Sequence, residues 1–167
     1  MAKPYFKTEP DAPAPLRAVV QRTVRFEEVD AMNIVWHGRY ASYFEDARVA
    51  LGDSVGLGYL DYYDNGVLTP IKKLQVDYIK PLRYGERFSI EAIMRWTEAA
   101  RINMEFVLRN EEEEVVTTGY SIQLMLDREG ELFLGPPPCH LALRERWRAG
   151  GLDHLTTGFE PKATDTE

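Results

Sequence analysis

Gly38-Arg39-Tyr40-Ala41-Ser42-Tyr43-Phe44-Glu45-Asp46-Ala47-Arg48-Val49-Ala50-Leu51-Gly52 is the stretch on which the fold turns. Tyr40, Tyr43, Phe44, Ala47 and Leu51 fall at helical spacing and make one apolar stripe, with Glu45, Asp46 and Arg48 off it. Residues 39–52 are therefore predicted as a helix, which Gly52, Gly56 and Gly58 bring to an end. On both sides of it the period is two. Val20, Val24 and Phe26 occupy the even positions of a first strand, and after Gly66 Leu74, Val76 and Tyr78 alternate with polar residues up to Pro81. The same alternation runs through Phe88–Trp96, Ile102–Leu108 and Val116–Leu126. Strands are predicted near 67–80, 86–97, 101–110 and 114–127, with links of hairpin length at Thr97–Ala100 and Asn110–Glu114. Long alternating strands on short turns imply an antiparallel sheet with one buried face, and the single amphipathic helix is its cover: an α+β architecture. Phe88, Ile90, Met104, Phe106, Ile122 and Leu124 are the expected helix-facing core, and Leu141–Trp147 reads as a short terminal helix.

Outside this middle the sequence thins. Residues 1–17, with Pro4, Pro10, Pro13 and Pro15, read as a flexible N-terminal tail, residues 18–150 as a single domain, and residues 151–167 as a flexible C-terminal tail. At 167 residues the chain is one domain's worth of protein, and 44% hydrophobic with 28% charged residues is a globular composition. No apolar run approaches the roughly 18 residues of a membrane helix, and the N-terminus lacks the apolar stretch of a secretory signal. One cysteine, Cys139, makes no internal disulfide, and with three scattered histidines it makes no zinc framework. These features point to a reducing compartment, the cytoplasm. Twenty Lys and Arg against 27 Asp and Glu leave a net charge of −7, the opposite of a general nucleic-acid binder.

The segment between the first strand and the helix is Glu27-Glu28-Val29-Asp30-Ala31-Met32-Asn33-Ile34-Val35-Trp36-His37-Gly38-Arg39-Tyr40. It sets a carboxylate, Asp30, in a short loop with a turn-forming Asn33 beyond it, and His37-Gly38 where the helix begins. Free N–H groups at a helix start attract a phosphate or a developing oxyanion, and a nearby carboxylate activates water or attacks an acyl carbon. These parts suit acyl transfer to water. An Asp before a helix is often only its cap, but Asp30 lies about seven residues ahead of the helix start, too far for that. Spacing alone leaves other plain readings open, a structural or solvated His and Ile34, Val35 and Trp36 as core or subunit contacts. Glu28 either tunes Asp30 through like charge or is a solvated structural residue.

Asp30, Ile34-Val35-Trp36, His37 and Tyr40 match in spacing the loop-and-helix signature of the 4-hydroxybenzoyl-CoA thioesterase-like branch of the hotdog-fold superfamily, which the chain resembles over residues 18–130. Tyr43-Phe44-Glu45-Asp46-Ala47-Arg48 resembles the aromatic-Glu-x-Ala-Arg stretch of that family's helix. Val76-Asp77-Tyr78-Ile79-Lys80-Pro81-Leu82-Arg83-Tyr84-Gly85-Glu86 resembles its following strand and Pro-containing turn. Asn33 stands where the family has Gly, and Asn tolerates the left-handed backbone that such a turn requires.

The resemblance implies a hotdog fold: an antiparallel sheet of five or more strands wrapped around one long helix. It implies an acyl-CoA hydrolase in which Asp30 is nucleophile or general base and the backbone N–H of His37 or Gly38 holds the thioester oxygen. The His37 side chain would orient Asp30 or water, or line the pocket. Asn33, Val35, Trp36 and Tyr40 would contact the acyl group, and Lys80 and Arg83 would receive the polyanionic coenzyme A. No metal or separate cofactor is implied, since coenzyme A is part of the substrate. Homodimers with the active site at the subunit boundary, assembled further to tetramers, are implied as well. The alternative is a non-catalytic hotdog protein that binds an acyl-thioester or an acyl carrier protein.

Overall fold

The computed structural model of the chain describes residues 3–158. The elements are β1 (Leu16–Thr23), α1 (Tyr40–Val55), α2 (Tyr59–Asp64), β2 (Ile71–Tyr78), β3 (Arg87–Arg95), β4 (Arg101–Asn110), β5 (Val115–Leu124) and α3 (Pro138–Arg148), with 3-10 turns at Phe26–Glu28, His37–Arg39 and Asp153–Leu155. The strands form one antiparallel sheet in the order β1-β3-β4-β5-β2. α1 lies across it, with Tyr40, Tyr43, Phe44, Ala47, Leu51 and Val55 buried against the sheet. Phe44 stacks on Phe106 of β4 at 4.3 Å, and Tyr43 meets Phe88 of β3 at 4.8 Å. Gly56, at φ 71°, turns the chain left-handed and returns the Leu57 N–H to the Gly52 carbonyl, so α1 stops there. The predicted α+β architecture is the one observed.

Several sequence expectations differ, three of them within the helix and sheet. Arg48, read as off the apolar stripe, is 4% exposed. Its guanidinium donates to Gln123 and Ser121 of β5 and to Glu45, and it lies over the Phe106 ring. A planar fork with enough acceptors can be buried in this way. Phe26 lies beyond the end of β1, on a 3-10 turn, and is 78% exposed. The third concerns β5, whose helix-facing residues are Thr117, Gly119, Ser121 and Gln123, paired with Leu108, Phe106, Met104 and Ile102. Ile122 and Leu124 therefore face the other way, because small and polar residues are what Phe44 and Arg48 require opposite them.

That other face is also covered. Here the chain ahead of β1 lies on the sheet: the Tyr5 and Phe6 N–H groups donate to Glu105 Oε1 at 2.8 and 3.0 Å, and both rings pack on Tyr120. Glu91 sits between Arg17 and Arg109 at 2.9 and 3.0 Å. β1 itself starts at Leu16, inside the stretch read as the N-terminal tail. At the other end Leu152 is buried, and the remainder of the stretch read as the C-terminal tail, 159–167, lies outside the described residues.

α3 docks through a buried polar pair, Tyr62 Oη and His140 Nδ1 at 2.7 Å. Burial, and secondarily the Arg144 guanidinium, push the His140 pKa down to about 4. An unfolded histidine protonates near its ordinary value of about 6.5, so the unfolded state takes up this proton first as pH falls. Stability linked to His140 is thus complete above pH 6.5 and is lost as pH falls toward 4, by about 3 kcal/mol at most. Denaturant titrations at pH 7 and pH 4 are expected to show this extra loss in the parent and not in His140→Gln. An identical pH dependence in both would acquit His140.

Candidate active site

The Asp30 segment folds into a small hairpin. The Asp30 N–H donates to the Ile34 carbonyl and the Asn33 N–H to the Asp30 carbonyl, each at 2.9 Å, and Val29 pairs with Val35. Asn33 holds φ 57°, the left-handed conformation its residue type allows at low cost. Asp30 Oδ1 accepts the Met32 N–H at 2.8 Å, a local side-chain turn that orients the carboxylate. Oδ2 carries no hydrogen bond among the described residues, which leaves one oxygen anchored and the other open to chemistry. Glu28 closes the preceding 3-10 turn: its Oε2 accepts the Arg25 N–H, and its carbonyl accepts the Trp36 N–H.

The hairpin is fixed to the connection between β2 and β3 by the Val35 N–H on the Leu82 carbonyl at 2.8 Å and by a bridge from Ile34 to Arg83. It then enters the 3-10 turn His37–Arg39, which runs directly into α1. Among the described residues the N–H groups of His37 and Gly38 have no backbone acceptor, as is general for the first positions of a helix. Here they stand at the positive end of a 16-residue helix. Trp36 is half exposed and its ring lies over Gly38, where an added Cβ would come within 2.4 Å of it. A side chain at position 38 would have to push that ring aside.

Asp30, Asn33, Val35, Trp36, His37, Gly38, Tyr40 and Arg83 thus belong to one neighbourhood. Val35 and Tyr40 are buried, whereas Asn33, Trp36, His37 and Arg83 are exposed. The His37 ring touches Trp36 at 5.2 Å and makes no hydrogen bond to Asp30. Lys80 reaches out to Glu114, at 2.7 Å, instead of toward the hairpin. A cleft of about 1000 Å³ opens beside the hairpin, lined by Thr23, Arg25, Phe26, Tyr84, Arg87 and Asn110, but Asp30, His37 and Gly38 are not on its walls. The loop itself exposes the apolar side chains of Met32 and Trp36, and the half-exposed Tyr78 reaches it from β2. One contact had no sequence signal beyond the alternation of β2: the Tyr78 hydroxyl donates to the His37 carbonyl at 2.7 Å. Among the described residues no group of three or more His, Cys, Asp or Glu side chains is disposed to hold a metal ion, and no helix is long and apolar enough to cross a membrane.

Known proteins share both sequence and architecture with this chain. A Bacillus subtilis protein named "Putative acyl-CoA thioesterase YneP" is 43% identical over 63 residues, covering 38% of this chain and 46% of that protein. A 1,4-dihydroxy-2-naphthoyl-CoA hydrolase of Thermosynechococcus vestitus is 28% identical over 59% of this chain and 68% of its own length. The chain thus spans about half the length of the first of these relatives and about two thirds of the second. Among solved structures, a DHNA-CoA thioesterase from Staphylococcus aureus superposes with a TM-score of 0.70 at 22% identity, over 86% of this chain and 99% of its own. A second Staphylococcus aureus protein, structurally characterised in complex with CoA, superposes at 0.71 with 14% identity, over 93% and 94% of the two chains. These two likenesses concern the fold, which is the hotdog. The family model of the thioesterase-like superfamily matches residues 24–145, most of the chain and all of the hairpin, and it is to this superfamily that the chain belongs.

Proposed function

We propose that the protein hydrolyses acyl-CoA thioesters at the Asp30 hairpin. The observation that carries this is the Asp30 carboxylate, anchored through one oxygen and open at the other, on the loop that leads into the free N–H groups of His37 and Gly38. The thioester oxygen is received by those N–H groups and gains charge there as the carbonyl carbon is attacked. As general base, Asp30 takes a proton from the attacking water; as nucleophile, its oxygen forms an anhydride that water then opens. In both cases the carbon–sulfur bond breaks and coenzyme A leaves as the thiol, with no cofactor beyond the one the substrate carries. Asn33 and Trp36, the exposed members of the set, contact the acyl group, whereas Val35 and Tyr40 are buried and act only by backing the hairpin. Arg83, bridged to Ile34, receives the coenzyme. Lys80 can join it only by leaving Glu114.

Met32, Trp36, Tyr78 and Ile79 are uncovered in the single chain, and β2 is an unpaired edge. A homodimer joined along that edge covers both and closes the site, and a tetramer follows from pairing such dimers. The reaction belongs to the cytoplasm, where the single cysteine stays reduced.

Release of free thiol from a series running from acetyl- through aromatic to long-chain acyl-CoA, and from the matching acyl carrier protein esters, tests the proposal. Turnover of at least one coenzyme A ester above the buffer rate is the expected result. Turnover confined to the carrier protein esters would move the substrate class. Tight binding without thiol release would favour the non-catalytic alternative.

A further inference from the structure

We infer that Tyr78 is a positioning residue for the reaction: by holding the His37 carbonyl, its hydroxyl aims the Gly38 N–H at the thioester oxygen. The inference rests on the reading of the His37–Gly38 turn given above. The peptide unit is planar and trans, so the carbonyl of His37 and the N–H of Gly38 are two ends of one rigid plate, pointing in opposite directions. Fixing one end fixes the other. The Tyr78 hydroxyl fixes the carbonyl end at 2.7 Å. The Trp36 ring lies over Gly38 on the adjacent side. Tyr78 is itself well placed to serve as an anchor. It is the last residue of β2, in register with Thr117 of β5, and its ring meets the buried Tyr40 edge-on at 5.1 Å. A hydrogen bond accepted by a carbonyl also polarises its amide, which makes the N–H at the far end a stronger donor. The arrangement therefore acts on both the direction and the strength of the group that meets developing charge, and it touches no atom of the substrate.

Tyr78→Phe tests this, because it removes the hydroxyl and leaves the ring on Tyr40. At protein concentrations where its sedimentation matches the parent, kcat is expected to fall about 10-fold with KM within twofold, less than the roughly 10²–10³-fold loss of an oxyanion donor itself. The Gly38 amide nitrogen resonance is expected to shift, and p-aminophenylalanine introduced at position 78, which restores a para donor, is expected to recover most of kcat. An unchanged kcat, a loss confined to KM, or a p-amino variant as slow as Tyr78→Phe would overturn the role of Tyr78 while leaving the thioesterase reading intact. Absence of hydrolysis in the parent would overturn both.

Discussion

Asp30→Asn is expected to fold as the parent does and to hydrolyse its best thioester more slowly by roughly 10²–10⁴-fold, the range spanned by loss of a positioned acid–base group. The turn survives because it depends on Oδ1, which accepts the Met32 N–H at 2.8 Å, and an asparagine carbonyl oxygen accepts the same bond. The substitution withdraws only the negative charge and the basicity of the open oxygen. An amide neither takes the proton of water at neutral pH nor attacks a thioester. Steady-state thiol release beside a thermal melt checks both halves of the expectation. A folded variant within a few-fold of the parent rate would remove Asp30 from the mechanism. Trapping an acyl–Asp30 anhydride during single turnover would then assign the nucleophilic role, and its absence with full incorporation of solvent oxygen into the product would assign the base.

Gly119→Ala is the substitution expected to cost the fold most. A Cβ there would stand 2.4 Å from the Gln75 carbonyl oxygen and 2.6 Å from the Phe44 ring. Neither neighbour can yield easily. Gln75 is main chain of β2, paired with β5 through Val76 opposite Gly119. Phe44 is fully buried and stacked on Phe106. Overpacking of a filled core costs about 1–3 kcal/mol, and displacing a paired strand adds to it, so a loss of about 3 kcal/mol or more follows. For a domain of this size that lowers the melting temperature by about 10 °C. Denaturant unfolding measures it directly, and a midpoint within error of the parent would show that β2 can move aside freely. Because Tyr78 ends that same strand, the variant is also expected to lose activity at temperatures where it is still folded.

What could be read from the sequence follows from the range of the forces involved. α1 was legible because Tyr40, Tyr43, Phe44, Ala47 and Leu51 recur at its period, and the strands because alternation is a local signature. The Asp30–Asn33 turn was legible for the same reason: its hydrogen bonds close within four residues. β5 was read with the wrong face toward the helix because Tyr120 and Ile122 look like core. Their side of the sheet is covered in part by Tyr5 and Phe6, and no periodicity in β5 encodes a partner so far away in the chain. Arg48 looked like surface for the complementary reason, since its acceptors Ser121 and Gln123 lie across the sheet. Tyr78 was visible as a strand residue, but its hydroxyl acts on a carbonyl 41 positions earlier.

The clasp of Tyr5 and Phe6 on Glu105 joins positions up to 100 residues apart, and this sets an order of events during synthesis. Tyr5 and Phe6 are translated well before the strands that hold them, because β4 and β5 must be made and paired before there is a surface to receive them. Closing so long a loop carries an entropic charge that is met only once those strands are in place. Until then Glu105 keeps one oxygen on Arg95 of β3 while Oε1 and the Tyr120 ring stand uncovered, so a nascent copy is most exposed to mispairing in the interval between completing its sheet and drawing Tyr5 and Phe6 across it.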